Sequence, residues 1–219
     1  VELYREMRAL ALKMEEMVRQ GRMSFASQVE VHLDANLLPV EEQIIAFKRA
    51  IEHSGHEPEM HENPGVIITG ILPPPPSIAA TIDAAGFTVV GNDIAALHRA
   101  HASMPNGEIT SLIDYYIDFY RDHCPCPTLL HASDARIAYL EKMIEETGAR
   151  GMIFLGEKFC EYEYLELPFI EELVKDRGLS LLRLEFSHDD RDGLAQHVNR
   201  IEAFAEVLQK QQEGKMDER

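Results

Sequence analysis

Four short apolar segments, each followed by an amphipathic stretch, restrict this chain to a few folds. They are VIITG (66–70), FTVVG (87–91), GMIFLG (151–156) and SLLRLEF (180–186). Each is rich in β-branched or aliphatic residues and bounded by turn residues, which is a strand pattern. None alternates cleanly with polar residues, so both faces of each strand are expected to be covered. Strands alternating with helices build a parallel sheet from βαβ units.

The expectation is therefore an α/β fold. A four-stranded parallel, flavodoxin-like (Rossmann-like) sheet is flanked by helices and preceded by a helical segment. Leu3, Met7, Leu10, Met14 and Met17 recur at spacings that form one helical stripe. Val40, Ile44, Phe47 and Ile51 mark another after Pro39. Ser77 is expected to cap a helix carrying Ile78 and Ile82, with Gly86 at its end. Ile109, Leu112, Ile113, Tyr116, Ile117 and Tyr120 form an amphipathic stripe expected to face inward. Ser133 opens a helix ended by Gly148, and Pro168 sits in the first turn of one ended by Gly178. Asp190 opens the last, with Ile201, Phe204 and Leu208 inward. The division is 1–60 as a helical linker segment, 61–213 as the α/β domain and 214–219 as a polar tail. The chain begins at Val1, inside a helical pattern, and is read as the downstream part of a longer polypeptide.

Composition narrows the function. The net charge of −17 argues against nucleic acid as a partner, because phosphate binding needs lysine and arginine. It argues against an anionic membrane surface for the same reason, and no apolar run approaches a membrane span. Three cysteines, Cys124, Cys126 and Cys160, are no disulfide framework and suit a reducing compartment, hence the cytoplasm.

In open parallel sheets ligands bind beyond the carboxyl ends of the strands. Thr69, Asn92, Asp93 and Lys158 are candidate cleft residues on that edge. Cys160 follows the third strand there, either as a small buried hydrophobe or as a metal-binding thiolate. HCPCPTLLH (123–131) reads as a proline-stiffened connector, with a zinc site as the rival reading. EYEYLE (161–166) reads as a solvated acidic face. His98 and His101 flank a helix end, where a protonated imidazole suits the dipole. The G-x-G-x-x-G fingerprint, the Walker A loop and the G-x-S-x-G elbow are absent.

The order of these segments resembles the 2-hydroxyacyl-CoA dehydratase and benzoyl-CoA reductase family. The resemblance lies in VIITGILPPPPSIAATIDAAGFTVVGNDIAALHRA (66–100) and in the stretch 124–186. The latter holds a P-C-P connector, an arginine-bearing helix, a strand ending in K-F-C and a Y-x-x-x-P helix. It covers most of residues 64–212, and segment 1–60 looks like the family's linker helices. The resemblance implies a lyase subunit paired in a heterodimer with a related second subunit and served by an ATP-dependent activator protein. It implies an oxygen-sensitive [4Fe–4S] cluster with Cys160 as one ligand, acting on an acyl-CoA substrate by one-electron, ketyl-radical dehydration. In such proteins the other cluster cysteines lie in a domain this chain lacks, while Cys124 and Cys126 match the connector. The chain alone is therefore expected to be inactive. The alternatives are an aromatic acyl-CoA reductase subunit and a non-catalytic binding module of the same fold.

Overall fold

A computed structural model describes residues 1–54, 63–105, 111–121, 123–126, 133–187 and 194–217. Ile109, His131 and Asp190 lie outside the described residues, as does the side chain of Ser133.

Four parallel strands form one sheet: β1 (Gly65–Gly70), β2 (Thr88–Ile94), β3 (Gly151–Glu157) and β4 (Ser180–Phe186). Their order is β2-β1-β3-β4. The chain leaves β1 to one side and later returns to the other, so the topological switch point lies between β1 and β3. β2 runs further than its apolar segment, because Thr69 and Gly70 of β1 give Asp93 and Ile94 ladder partners. Asn92 and Asp93 are thus strand residues, not loop residues. Gly70 packs so closely on β3 that a Cβ there would meet the Leu155 carbonyl oxygen at 2.4 Å.

Three N-terminal helices, α1 (Glu2–Arg19), α2 (Phe25–Ala35) and α3 (Val40–His53), cover one face of the sheet together with α4 (Pro76–Ala84) and α9 (Leu194–Asp217). Met14, Phe25 and Phe47 share a core with Ile68, Ile82 and Phe204. The amides of Phe25 and Ala26 donate to the Asp83 carboxylate at 3.0 and 2.8 Å, which ties α2 to α4. On the other face lie α7 (Ser133–Thr147) and α8 (Glu161–Asp176), around Ile67, Leu140, Phe154 and Ile170. Covered faces on both sides explain why the strands read as continuous apolar runs. Gly148 and Gly178, at φ of 62° and 64°, end α7 and α8 in the left-handed conformation that glycine adopts without strain.

Three local expectations fail for physical reasons. Ser77 is not a cap: α4 starts at Pro76 after Pro75 with no side-chain cap, since proline suits a first helical position. Pro168 lies inside α8, which begins at Glu161 with Cys160 as its N-cap residue. The apolar stripe of α6 (Leu112–Arg121) faces solvent, with Leu112, Ile113, Tyr116, Ile117 and Tyr120 exposed. Its inward side is set by Arg8 of α1, which donates to the Tyr115 hydroxyl at 2.8 Å and lies 4.6 Å from the Phe119 ring centre. A π-helical turn, Ala95–Arg99, follows β2 and runs into α5 (Ala100–Ala102). Among the described residues no helix is long and apolar enough to cross a membrane.

Candidate functional site

At the carboxyl edge of the sheet a carboxylate is held by two buried guanidiniums. Asp93 is fully buried at the end of β2. The Thr69 hydroxyl donates to it at 2.6 Å, Arg99 Nη1 at 3.0 Å and Arg136 Nη1 at 2.9 Å. A second Arg136 nitrogen, Nη2, also donates to it. Arg99 Nη2 reaches the Gly70 carbonyl at 2.9 Å, and Arg136 Nε lies 2.6 Å from a Glu166 oxygen. Burial raises the Asp93 pKa, but the two arginines outweigh it and hold the carboxyl below its usual range. Glu166 goes the other way, since burial raises its carboxyl against the pull of Arg136. Thr69 and Asp93, expected together on this edge, do meet. They meet as a locked ionic cluster joining β1, β2, α7 and α8.

Nearer the switch point, Glu163 staples two strand ends. Its Oε1 accepts from the Ile71 amide at 2.5 Å and its Oε2 from the Glu157 amide at 2.7 Å. Burial raises its carboxyl despite those donors. Glu163 and Glu166 are therefore inward, and the acidic run 161–166 is not the solvated face expected. The early start of α8 turns these two positions towards the sheet edge. Replacing Glu163 with glutamine puts an amide NH2 against one of the two backbone N–H groups. The expected loss is about 1–3 kcal/mol, the scale of an unsatisfied buried donor. Urea denaturation checks it, together with faster hydrogen exchange at Ile71 or Glu157. Unchanged stability and exchange would remove Glu163 from this role.

Cys160 stands at the same edge. It is half-buried, and its N–H donates to the Glu157 carbonyl at 3.1 Å. Before it, Phe159 adopts φ 67° and is 94% exposed. The Lys158 amide donates to the Phe186 carbonyl at 2.8 Å, anchoring this turn on β4. Tyr162 and Leu165, in the first turns of α8, are also exposed. Asn92 caps the strand end instead, its Oδ1 accepting from the Ile94 amide at 3.0 Å.

The other thiols are elsewhere and differ in character. Cys124 and Cys126 are buried. Burial pushes the Cys124 thiol up to about 11, although Tyr139 hydrogen-bonds it. That hydroxyl also meets His98 Nε2 at 2.5 Å, and His98 Nδ1 meets Glu15 at 2.9 Å. His98 stays above the ordinary histidine range because Glu15 offsets its burial. Burial lowers the pKa of His101, against the expectation of a helix end that favours its proton. Among the described residues no group of three or more His, Cys, Asp or Glu is arranged to hold a metal ion. A [4Fe–4S] cluster takes several cysteine thiolates. The described residues thus do not make a whole cluster site by themselves, and Cys160 offers a half-buried thiol at the sheet edge.

Sequence reasoning missed Arg99, Glu163 and Glu166, and met Arg136 only as the arginine of a helix. The available signal was position: acidic residues in the first turns of a helix that starts straight after a strand reach back to the strand end.

Fold and edge together define the class, an α/β sheet protein with a thiol presented beside its topological switch point. The 2-hydroxyglutaryl-CoA dehydratase, D-component family matches residues 1–208, and the chain belongs to that family. It is also similar to the (R)-phenyllactyl-CoA dehydratase beta subunit of Clostridium sporogenes, at 26% identity over 152 residues. That alignment takes in 69% of this chain and 40% of the relative, so the chain spans under half the relative's length.

Proposed function

We propose that this chain contributes to a 2-hydroxyacyl-CoA dehydratase, an acyl-CoA lyase in the cytoplasm that works with a related second subunit and an ATP-dependent activator. The observation that carries the reading is the family match over residues 1–208. The dehydratase reading is preferred to aromatic acyl-CoA reduction because the family and the relative both carry dehydratase names. In this reading Cys160 supplies one thiolate to a [4Fe–4S] cluster completed by residues beyond those described. The cluster supplies single electrons, the chemistry that ketyl-radical elimination of an α-hydroxyl requires.

This chain's own residues do the positioning. Glu163 holds the ends of β1 and β3 together beneath the Cys160 turn. The Asp93 cluster keeps β1 and β2 in register at the same edge. Phe159, Tyr162 and Leu165, within five residues of Cys160 in the chain, are exposed and suited to excluding water once a further element packs there.

The test is Cys160→Ser in the full enzyme, prepared without oxygen. Iron and acid-labile sulfide are expected to fall, and dehydration to drop by more than the roughly 10–100-fold that losing a mere hydrogen-bond partner of a metal ligand costs. Circular dichroism is expected to stay unchanged. A wild-type enzyme without iron, or a variant with full iron and full activity, would falsify the reading.

A further inference from the structure

α6 turns an apolar side to solvent. Leu112, Ile113, Tyr116, Ile117 and Tyr120 are each 53–73% exposed, and these five side chains line an open groove of about 450 Å³. Their spacing makes them one continuous stripe along the helix. The stripe is held outward, because Tyr115 and Phe119 on the other side engage Arg8 of α1. Its exposed area is on the order of 500 Å², with a bare aromatic side chain worth about 150–250 Å². That is near the upper end for the largest apolar patch of a monomer, and such patches mark interaction sites. Asp114, Asp118 and Arg121 share one flank of the stripe, at about 100° of helix per residue. Asp118 and Arg121 pair there at 2.9 Å.

We propose that the α6 stripe is the contact face of a homodimer of this chain, its two α6 helices antiparallel across a two-fold axis. The stripe is self-complementary in that arrangement, as a two-fold contact requires. With the axis between Tyr116 and Ile117, Ile113 meets the second copy's Tyr120, and Tyr116 meets its Ile117. Every ring then faces an aliphatic side chain, the alternation of large and small that interdigitates. Parallel pairing would set ring on ring and isoleucine on isoleucine. The antiparallel pair also brings Arg121 beside the second copy's Asp114 and sets the two helix dipoles head to tail. Two stripes bury about 1,000 Å² in total, the lower limit for a specific interface. The expected dimer is therefore weak, with a dissociation constant on the order of 10 μM. The pairing is independent of the dehydratase reading.

The test is sedimentation velocity of this chain from about 1 to 200 μM, a range that brackets such an affinity. A monomer–dimer equilibrium is expected. Added salt is expected to tighten it, because the net charge of −17 repels two copies until it is screened. Ile113→Lys and Tyr120→Glu each change an exposed position, and circular dichroism confirms that both variants are folded. Each alone is expected to weaken the dimer at least about a hundredfold, since the two-fold axis repeats the change at two contacts. An equal mixture of the two variants is expected to dimerise again. In the mixed pair the new lysine faces the new glutamate, and the other contact keeps Ile113 and Tyr120. A parent that stays monomeric throughout overturns the assignment. So does a dimer that neither substitution weakens, or one that salt loosens. Monomeric variants whose mixture also stays monomeric overturn the antiparallel pairing.

Discussion

Asp93→Asn is expected to destabilise the protein by about 3–5 kcal/mol, the scale for breaking a buried ion pair on one side. The carboxylate is the shared partner of Arg99 and Arg136, both almost wholly buried. Asparagine keeps the size but not the charge, and its NH2 would face guanidinium donors. Arg136 retains Glu166, and Arg99 retains the Gly70 carbonyl. Against a typical total stability of about 5–15 kcal/mol, such a loss brings the chain close to unfolding at physiological temperature. Urea titration measures it. Combining Asp93→Asn with Arg99→Met is expected to recover part of the loss, because the second change removes the stranded cation. A loss below about 1 kcal/mol, outside the range for a buried pair, would mean that the cluster is not charged as described.

Acid is expected to weaken the protein well above the carboxylate range, through His32. This α2 residue is 7% exposed, with its ring 4.9 Å from Phe47 and 5.3 Å from His101 between ring centres. Its Nε2 has no hydrogen-bond partner among the described residues. Burial, and then the charge of His101, lower it from 6.5 to about 3. The folded state therefore binds fewer protons than the unfolded state between those values. The contribution to stability is full above about pH 6.5 and is lost as the pH falls towards 3. At 1.36 kcal/mol per unit, the drop from pH 6.5 to 5 is about 2 kcal/mol and the limit about 5 kcal/mol. His101 adds in the same direction, since its pKa is also lowered. His98 opposes, because Glu15 raises its pKa. Asp93 enters at more acid pH, as the fall passes through the ordinary carboxylate range towards its lowered value. The measurement is urea unfolding at pH 7.5, 6 and 5, on the parent and on His32→Phe. The parent should lose about 2 kcal/mol more than the variant across that interval. Parallel losses would exclude His32 as the source.

Much of the architecture was legible because its causes are local. Continuous apolar runs marked β1, β3 and β4 nearly to the residue. The alternation of strands and helices dictated a parallel sheet, and a parallel sheet dictated which edge would carry Cys160, Thr69 and Asp93. Met7, Met14 and Met17 were readable as one buried stripe of α1 because helical periodicity depends on neighbouring residues alone. The same locality misled at Pro168. Proline favours a helix start by its own geometry, yet α8 begins earlier.

Tertiary structure alone decided which charges turn inward. An acidic run is a solvated face until something beyond it offers donors. For Glu163 the donor includes the Ile71 amide, 92 residues away in the chain. For Asp93 it is Arg136, 43 residues away. The stripe of α6 faces outward for a similar reason, because Arg8 engages Tyr115 and Phe119 from α1. The sequence by itself determined where the apolar segments lie and which sheet edge they build, since burial of a strand or a helical stripe is favourable with almost any apolar partner. Hydrogen bonds and ion pairs are directional and need particular partners at about 3 Å, so the polar site could be settled only when distant segments met.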